Sequence, residues 1–494
     1  MKKVISSLLV AAMAICVNTA KADNISLEEA REAAAYYMGY YTGADKLSAN
    51  DLTLVHQIDN EKLGVPASYF FNVGSDGWII MAGTTIIDPI IGYSAEGSLV
   101  MEDLPANMLW WVNGYTKMVK GLQEFDAEND YTYPDHEVWT ALKGKSYKGD
   151  TKANQHVLTQ MTWGQGDANT PTYNMLCPQD TGGRYSMVGC VATAMSQMMR
   201  YYRYPSKASG TAIYVLRSVL ANADKQKMPN IQLKINYDTM EPFDFDKMPN
   251  KPTSGGHRIC SEENMREVAR LSYYAGVAVH MGYTPDGSGA YSPDVPNAMK
   301  KHFKYTQGTV VYRDRNASTY MDRIRAVLTS DNVAYMGGVS STGEGRDAAG
   351  HAWLCVGYME NNVNQYYMNW GWEGGGNGFF NLGGNNMPIQ YYGYNFNQNQ
   401  EFIEGMVPDN GVGIDQVDGS ELGDAYPNPA IHAVTLPYNT PNATNMVIYN
   451  IEGKVVATYP VHAGTGELTV NVEGMPTGMY IYRMNSVSGR FMVK

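Results

Sequence analysis

Changes in the spacing of apolar and polar residues divide the chain into segments with different predicted elements. Ser26 and Glu29 have the spacing of a capping box and precede a run rich in Ala and Tyr, which predicts a helix. Two β-rich runs, residues 68–73 and 78–82, flank a Gly-Ser-Asp-Gly turn and predict a hairpin. We therefore expect residues 23–150 to fold as a separate α+β unit.

The end of this unit is polar and lacks a regular apolar pattern. Between residues 126 and 156 the chain carries Lys143, Lys145, Lys148 and Lys152 within ten residues. This composition predicts an exposed linker or, in the plainer alternative, an ordinary surface loop. Segments of this kind are where proteases cut most readily.

Two further units follow along the chain. Residues 151–408 alternate helical and strand-like patterns among many Gly and aromatic residues, which predicts an α+β domain. Residues 409–424 are polar and are interpreted as a linker. Residues 425–494 hold short β-rich runs separated by turn residues and predict a small antiparallel β-sandwich. The predicted strands lie at 433–436, 446–449, 454–459, 467–472, 479–483 and 490–493.

The first twenty-two residues have the pattern of an export signal. Lys2 and Lys3 precede an apolar run over residues 4–17, and Ala20-Lys21-Ala22 fits a small-x-small cleavage site. The apolar run is too short to span a bilayer. We expect residues 1–22 to be removed and the protein to leave the cytoplasm.

Composition excludes several classes of protein. The net charge of −12 and pI of about 5.3, without a dense Lys/Arg cluster, argue against a nucleic-acid partner. Only four cysteines follow the leader, which is too few for a disulfide scaffold. A single disulfide among Cys177, Cys260 and Cys355 is left open.

Cys190 has the setting of a chemically reactive thiol. Apolar residues follow it at helical spacing until Pro205, so Cys190 is predicted to begin a helix, and Gly189 permits close approach to it. The positive end of the helix dipole favours a thiolate over a thiol. The alternative is a small cysteine buried in a core.

A cysteine nucleophile needs a base, and His351 is the best-placed histidine of this unit. It begins a strand-like run, and residues 365–370 return as the second strand of a predicted hairpin. Reflecting His351 through the turn brings it near Asn369 and Trp370, where a side-chain amide could accept the ring N–H and fix its tautomer. Cys355, in the same apolar strand, is expected to be core.

Gln165 lies between two glycines upstream of the cysteine. Its amide could donate to an oxyanion together with the backbone N–H of Cys190, as acyl transfer requires. Taken alone, a glutamine between glycines is an ordinary turn residue. It gains weight only in combination with the thiol and the imidazole.

Several motifs together carry a resemblance to a known family. They are Gln165-Gly166, Gly189-Cys190-Val191-Ala192-Thr193-Ala194, Gly350-His351-Ala352, Asn369-Trp370-Gly371-Trp372 and Asn377-Gly378-Phe379-Phe380. In this order they resemble the streptopain family of papain-fold cysteine peptidases over residues 153–408. Residues 69–74 and 89–94 are similar to the inhibitory propeptide of that family.

The resemblance implies a papain-like peptidase domain over residues 151–408, held inactive by its own propeptide over residues 23–150 until that segment is lost. It implies that Cys190 is the nucleophile, that His351 is the base and that Gln165 donates to the oxyanion. Asn369 and Trp370 would be the pair that orients the base. The residues of a glycine-rich substrate cleft would be Gly350, Ser288, Gly289 and Trp372.

The C-terminal unit carries a second resemblance. Residues 426–429, 450–454 and 478–480 are similar to the sorting domain of type IX secretion. This implies an address rather than a catalyst, with the type IX machinery as a partner. The protein would pass through the periplasm and be secreted or attached to the outer membrane or cell surface. The alternative is a carbohydrate-binding or adhesive sandwich.

Rival chemistries fail on motif spacing. His136-Glu137 lacks the second histidine of a zinc peptidase helix, and residues 92–97 have one residue too many for a serine nucleophile elbow. We expect no metal and no cofactor. The predicted function is a secreted cysteine endopeptidase that hydrolyses host or environmental proteins. The alternatives are a papain-fold amidase acting on cell-wall peptide and a non-catalytic surface-binding protein on an inert scaffold.

Overall fold

The computed structural model describes residues 23–44, 47–129, 136–313, 319–339, 350–383, 400–409, 421–423, 425–440, 442–450, 454–485 and 487–494. Two predicted features lie wholly or mostly outside these ranges. They are the leader over residues 1–22 and most of the linker over residues 409–424.

The α-helices are α1 Leu27–Thr42, α2 Ala106–Asn129, α3 Glu137–Lys143, α4 Cys190–Tyr202, α5 Asn222–Lys225, α6 Glu262–Ala278, α7 Val295–Phe303 and α8 Tyr320–Thr329. The strands of the first two units are β1 Leu52–Asn60, β2 Val65–Val73, β3 Trp78–Ala82, β4 Ile90–Ser94, β5 Gln155–Val157, β6 Thr211–Val215, β7 Gln232–Asn236, β8 Thr253–Ser254, β9 His257–Arg258, β10 Thr309–Tyr312, β11 Ala334–Val339, β12 Gly350–Met359, β13 Gln365–Asn369, β14 Gly378–Asn381 and β15 Gln400–Glu404. The C-terminal strands are β16 Glu421–Leu422, β17 Ala433–Thr440, β18 Thr444–Asn450, β19 Val455–Val461, β20 Gly464–Asn471, β21 Gly478–Met484 and β22 Val487–Val493.

Local sequence signals account for the start of the N-terminal unit. The Ser26 side chain accepts from the backbone N–H of Glu29, and the Glu29 carboxylate accepts from the backbone N–H of Ser26, so the predicted capping box begins α1. The predicted hairpin is formed by β2 and β3, with Ser68 opposite Ala82 and Asn72 opposite Trp78.

The predicted linker over residues 126–156 is wrong for most of its described length. Residues 126–129 end α2, and residues 137–143 form α3, whose Trp139 is fully buried against α1. Asp150 is also buried. Its carboxylate accepts from the Tyr37 hydroxyl (2.9 Å) and from the Asn362 amide (3.0 Å), which compensates for the loss of water. The polar composition predicts exposure, but a few buried side chains of this segment contact both the N-terminal unit and the second unit. A short turn, residues 143–146, is exposed.

One antiparallel sheet joins the N-terminal unit to the second unit. Its strand order is β1-β2-β3-β4-β14-β13-β12-β11-β15-β10, with β5 paired to β12. At the junction of the two units, Gly92 of β4 lies opposite Phe380 of β14. A Cβ atom at Gly92 would lie 2.6 Å from Cδ1 of Phe380, so the junction requires glycine.

Strand β12 lies between two helical layers. Ala352 and Leu354 belong to the core that packs beneath α4 and α6. Trp353 and Cys355 belong to the core on the other face of the sheet, which includes residues of α2 and α8. The alternation of side chains along a strand produces this division, and it positions the site described below.

The C-terminal unit contains the six predicted strands as β17 to β22. They form a three-stranded sheet with β16 and a four-stranded sheet, and the two share one apolar core. The predicted antiparallel β-sandwich is therefore present. The predicted linker over residues 409–424 extends too far, because β16 pairs with β17 through Glu421 and Asn439.

Candidate active site

Cys190 begins α4, as the apolar spacing predicts. The preceding residue, Gly189, has φ of 87°, and a Cβ atom there would lie 2.8 Å from Cε of Met281 and 3.0 Å from the carbonyl oxygen of Ser288. A residue with a side chain fits neither this backbone conformation nor this space. Gly189 thus brings the start of α4 against residues 281–288.

The environment of the Cys190 thiol opposes its ionisation. Burial raises the pKa of this thiol, and the backbone N–H groups of Ala352, Val191 and Cys190 act against that effect only in part. The sequence predicts the opposite direction from the helix dipole alone. These surroundings therefore favour the neutral thiol over the thiolate.

His351 lies on β12 next to Ala352, whose backbone N–H faces the Cys190 sulfur. By strand alternation the His351 side chain belongs to the face of Trp353, which Trp110 of α2 covers with ring centroids 5.9 Å apart. Burial lowers the pKa of His351. In the described part of the chain, no hydrogen bond joins the Cys190 thiol to the His351 ring, so the two are neighbours without being engaged.

Asn107 of the N-terminal unit reaches into this region. Its side chain is fully buried, and its amide donates to the carbonyl oxygens of Trp370 (2.8 Å) and Ala352 (3.3 Å). Ala352 follows the predicted base, and Trp370 is one of the predicted orienting residues. The N-terminal unit is therefore hydrogen-bonded to the backbone beside the site.

A cavity of about 400 Å³ adjoins Cys190 and His351. Gly350 and Gly289, two of the predicted cleft residues, line it. Ser288 does not, because its hydroxyl is used within the turn, accepting from the backbone N–H of Thr284 (3.0 Å). The acidic side chains among the described lining residues are Asp224, Asp294 and Glu401. No described lining residue is Lys or Arg.

Gln165 lies on the loop that approaches the start of α4. Its carbonyl oxygen accepts from the backbone N–H of Val188 (3.0 Å), two residues before the cysteine, and only 8% of its surface is exposed. This bond places Gln165 close to the N-terminus of α4. Its role as an oxyanion donor stays a prediction.

The predicted orienting pair makes other contacts in this structure. The Asn369 amide donates to Gln197 Oε1 (2.6 Å) and to the Met161 carbonyl (2.7 Å). Its Oδ1, the predicted acceptor of the His351 ring N–H, accepts from the backbone N–H of Gly371 (3.1 Å). Trp370 is fully buried, and its indole N–H donates to the Gly376 carbonyl (3.0 Å). Trp372 is 37% exposed and is not among the described residues that line the cavity.

The other cysteines lie away from this chemistry. Cys177, Cys260 and Cys355 are free thiols, and Cys355 is buried in the core as predicted, where burial raises its pKa to about 12. Within the described ranges, no group of three His, Cys, Asp or Glu side chains could hold a metal ion. Among the helices of those ranges, none is long and apolar enough to cross a membrane.

Sequence reasoning missed Asn107 and Glu401. Neither belongs to a recognisable motif, since Asn107 follows Pro105-Ala106 at a helix start and Glu401 is a single acid before an apolar pair. Both reach the site only through pairing of distant segments. A local pattern could not have indicated them.

Three family models match successive parts of the chain. Residues 22–119 match the Spi protease inhibitor, residues 163–380 match the Peptidase C10 family, and residues 424–494 match the Secretion system C-terminal sorting domain. The order is that of the three folded units. The matches leave the exact boundaries predicted from sequence as predictions.

Individual relatives agree with this division. The chain is 27% identical over 318 residues to the thiol protease/hemagglutinin PrtT of Porphyromonas gingivalis, covering 64% of this chain and 33% of that protein. It is 27% identical over 355 residues to streptopain of Streptococcus pyogenes, covering 68% of this chain and 78% of that protein. The chain thus spans about a third of the length of PrtT.

A solved structure shares the fold. A fragment of prointerpain A from Prevotella intermedia superposes with a TM-score of 0.54 and 22% identity, covering 72% of this chain and 98% of the fragment. This likeness confirms the predicted α+β fold with a papain-like domain behind a propeptide-like unit.

Proposed function

From the premise that residues 163–380 form a Peptidase C10 domain of the streptopain family, between an inhibitor domain and a type IX sorting domain, we propose that this protein is a secreted cysteine endopeptidase made as an inactive precursor. One observation carries the proposal. Cys190 at the start of α4 and His351 on the neighbouring strand line one cavity. Asn107 of the N-terminal unit donates to the carbonyl oxygen of Ala352 beside them.

In the proposed reaction, His351 takes the proton of the Cys190 thiol, and the thiolate attacks the carbonyl carbon of a peptide bond. The Gln165 amide and the Cys190 backbone N–H donate to the oxyanion that forms. The amine leaves with the proton from His351, and a thioester remains on Cys190. Water, deprotonated by His351, then attacks the thioester, which releases the carboxylic acid product and restores the thiol.

The N-terminal unit would inhibit this reaction by its position on the sheet. Helix α2 covers the face of β12 to which His351 belongs, and Asn107 holds the carbonyls of Ala352 and Trp370. Once the unit leaves, the imidazole can turn towards the thiol and form the ion pair that burial now disfavours. We propose the exposed turn at residues 143–146 as the first cleavage point, since residue 150 is buried.

Export belongs to the same proposal. The sorting domain indicates secretion or attachment at the cell surface. We propose that residues 1–22 direct the chain into the periplasm and that the type IX machinery then recognises residues 425–494. The substrates would be proteins or peptides outside the cell.

The test is active-site labelling of the mature enzyme with a thiol-directed epoxide, together with casein hydrolysis. We expect one label per chain at Cys190, and loss of both labelling and hydrolysis in the Cys190→Ala protein. Cys260→Ala is the matched control, because Cys260 is a half-buried free thiol away from the cavity. Measurable casein hydrolysis by Cys190→Ala would refute the mechanism. Hydrolysis of purified cell wall but not of denatured protein would favour the amidase.

A further inference from the structure

Glu401 is a buried carboxylate that the proposed reaction does not use. It lies on β15, opposite Gly337 of β11 on one side and Tyr312 of β10 on the other. Only 4% of its surface is exposed, and it lines the same cavity as Cys190 and His351. An acid in this position faces whatever peptide occupies the cavity.

The space in front of Glu401 exists because residue 337 is glycine. A Cβ atom at Gly337 would lie 2.9 Å from Oε1 of Glu401 and 3.4 Å from the hydroxyl oxygen of Ser292. That hydroxyl lies 3.0 Å from the Tyr335 phenol. Burial raises the pKa of Tyr335 and the hydrogen bond with Ser292 opposes this, while Cys190 and Glu401 lie near enough that their ionised forms would raise it further. A polar floor therefore extends from the nucleophile to Glu401.

Among the described residues, no basic side chain in the lining balances the charge of this floor. Within the described chain no salt bridge reaches Glu401, and the described lining residues include three carboxylates but no Lys or Arg. Burial alone raises the pKa of Glu401 to about 7. A buried acid without a partner is costly, and such groups in a cleft are typical of sites that bind a ligand.

We propose that Glu401 forms the floor of a substrate subsite beside the nucleophile and selects peptides that present a Lys or Arg side chain there. The inference rests on the proposed peptidase function and adds its substrate class. The cationic group would supply the missing counter-charge, and Ser292 and Tyr335 would accept its remaining N–H donors.

The reach of a basic side chain agrees with this assignment. Ala352, beside the Cys190 sulfur, Gly337 and Glu401 lie opposite one another on neighbouring strands. Two strand spacings separate the ends of this row, which is about 10 Å. The Glu401 carboxylate itself reaches over Gly337, which leaves about one strand spacing, about 5 Å, for a substrate side chain at Cys190 to span, within the reach of Lys or Arg.

The test uses the mature enzyme and pairs of fluorogenic peptides that differ only in Lys against norleucine at one position before the scissile bond. We expect one position at which Lys raises kcat/KM by roughly tenfold or more, and a loss of most of that preference in Glu401→Gln. Gly337→Ala, which fills the space in front of the acid, should lower the same ratio. Epoxide labelling of Cys190 checks that each variant is folded.

Two controls separate this subsite from general acidity. Glu404→Gln removes an acid of the same strand whose carboxylate accepts from Arg323 (3.0 Å) outside the cavity, and the Lys preference should persist. It should also persist in Asp294→Asn, an acid elsewhere in the lining. An equal fall in both controls would overturn the assignment, as would an enzyme without Lys or Arg preference. A Glu401→Gln variant that loses activity on every peptide equally would also refute it. Failure of labelling and of all hydrolysis would instead contradict the proposed function.

Discussion

Burial raises the pKa of the Cys190 thiol and lowers that of the His351 ring, so the surroundings favour the neutral form of each. A thiolate–imidazolium pair is therefore disfavoured until the surroundings change. The rate at which Cys190 reacts with a thiol reagent should therefore report whether the N-terminal unit still covers the site.

We predict that iodoacetamide alkylates Cys190 much more slowly in the full-length chain than in the mature enzyme near neutral pH. Because the thiol pKa is raised, the rate in the precursor should increase only above the usual titration range of cysteine. Intact-mass spectrometry separates the two forms and reports the label on each, with Cys260 as the internal reference. Equal rates in both forms would contradict the role of burial.

Glu401 gives a prediction for stability. Its folded pKa of about 7 lies above the unfolded value, so its contribution to folding is fully present below about pH 4.3 and is lost as the pH rises through 7. At about pH 8 the penalty is on the order of 4 kcal/mol. In a Cys190→Ala background, adding Glu401→Gln should raise the Tm at high pH and have little effect near about pH 4.5. The same Tm difference at both pH values would show that the carboxylate is compensated.

Gln165 gives a kinetic prediction. Gln165→Ala should lower kcat by roughly ten- to a thousandfold with little change in KM, because an oxyanion donor acts on the transition state more than on the bound substrate. Gln226→Ala, at an exposed position, is the control. A change confined to KM would assign Gln165 to substrate binding.

Residues that carry a local signal were predictable. Cys190 begins its helix because an apolar stripe follows it, and His351 lies one residue into its strand because a run of apolar residues follows it. Glu401 was not predictable, because its importance comes from the glycine opposite it on another strand. The contacts of Asn369 with Gln197 were equally hidden, since helix packing decides them.

Helix α2 is the element that connects inhibition to the site. Asn107, in its first turn, donates to two carbonyls of the peptidase domain, and Trp110 lies against Trp353. Removing the amide leaves both carbonyls buried without that donor, which costs about 1–3 kcal/mol. The affinity of the N-terminal unit for the site should therefore depend in part on this turn.

We predict that Asn107→Ala weakens inhibition of mature enzyme by the separate fragment 23–150 by roughly 10- to 100-fold. Asn113→Ala is the matched control, because Asn113 lies on the same helix but is exposed. Inhibition constants measured with a fluorogenic peptide give the comparison. Equal constants for both variants would show that the amide bonds contribute nothing to inhibition.

The segment over residues 137–157 shows why element boundaries were harder to predict than elements. Its lysines indicate exposure, and turn 143–146 is indeed exposed. Yet Trp139 is buried in the N-terminal core and Asp150 bridges Tyr37 to Asn362. Burial of a few residues decides the path of a mostly polar segment, and average composition does not record it.

For the molecule as a whole, cutting the chain is distinct from releasing the N-terminal unit. The junction of β4 with β14 and the buried contacts of α2 remain after a cut at turn 143–146. The sequence could not predict this pairing, because no local pattern links residues 92–93 to residues 379–380. Under the proposed function, a precursor cut at turn 143–146 would remain a two-chain complex, and dissociation of the N-terminal unit would be the step that releases activity.

We predict that Gly92→Val in the separate fragment 23–150 abolishes its binding to mature enzyme, because a side chain there collides with Phe380. Gly97→Val is the control, since a Cβ at Gly97 meets no other atom within 4 Å although its φ of 76° strains the backbone. Circular dichroism checks that each fragment is folded. Binding of the Gly92→Val fragment with unchanged affinity would show that the sheet is not continuous in solution.

The continuous sheet has a consequence for the enzyme after activation. Loss of β1 to β4 makes β14 an edge strand, whose backbone N–H and C=O groups then face solvent in a row. Such a row is a template for any extended chain, whether a substrate segment, a second enzyme molecule or the departing inhibitor. The proposed activation would thus exchange a covered site for an exposed pairing surface, and we expect the mature form to self-associate more readily than the precursor.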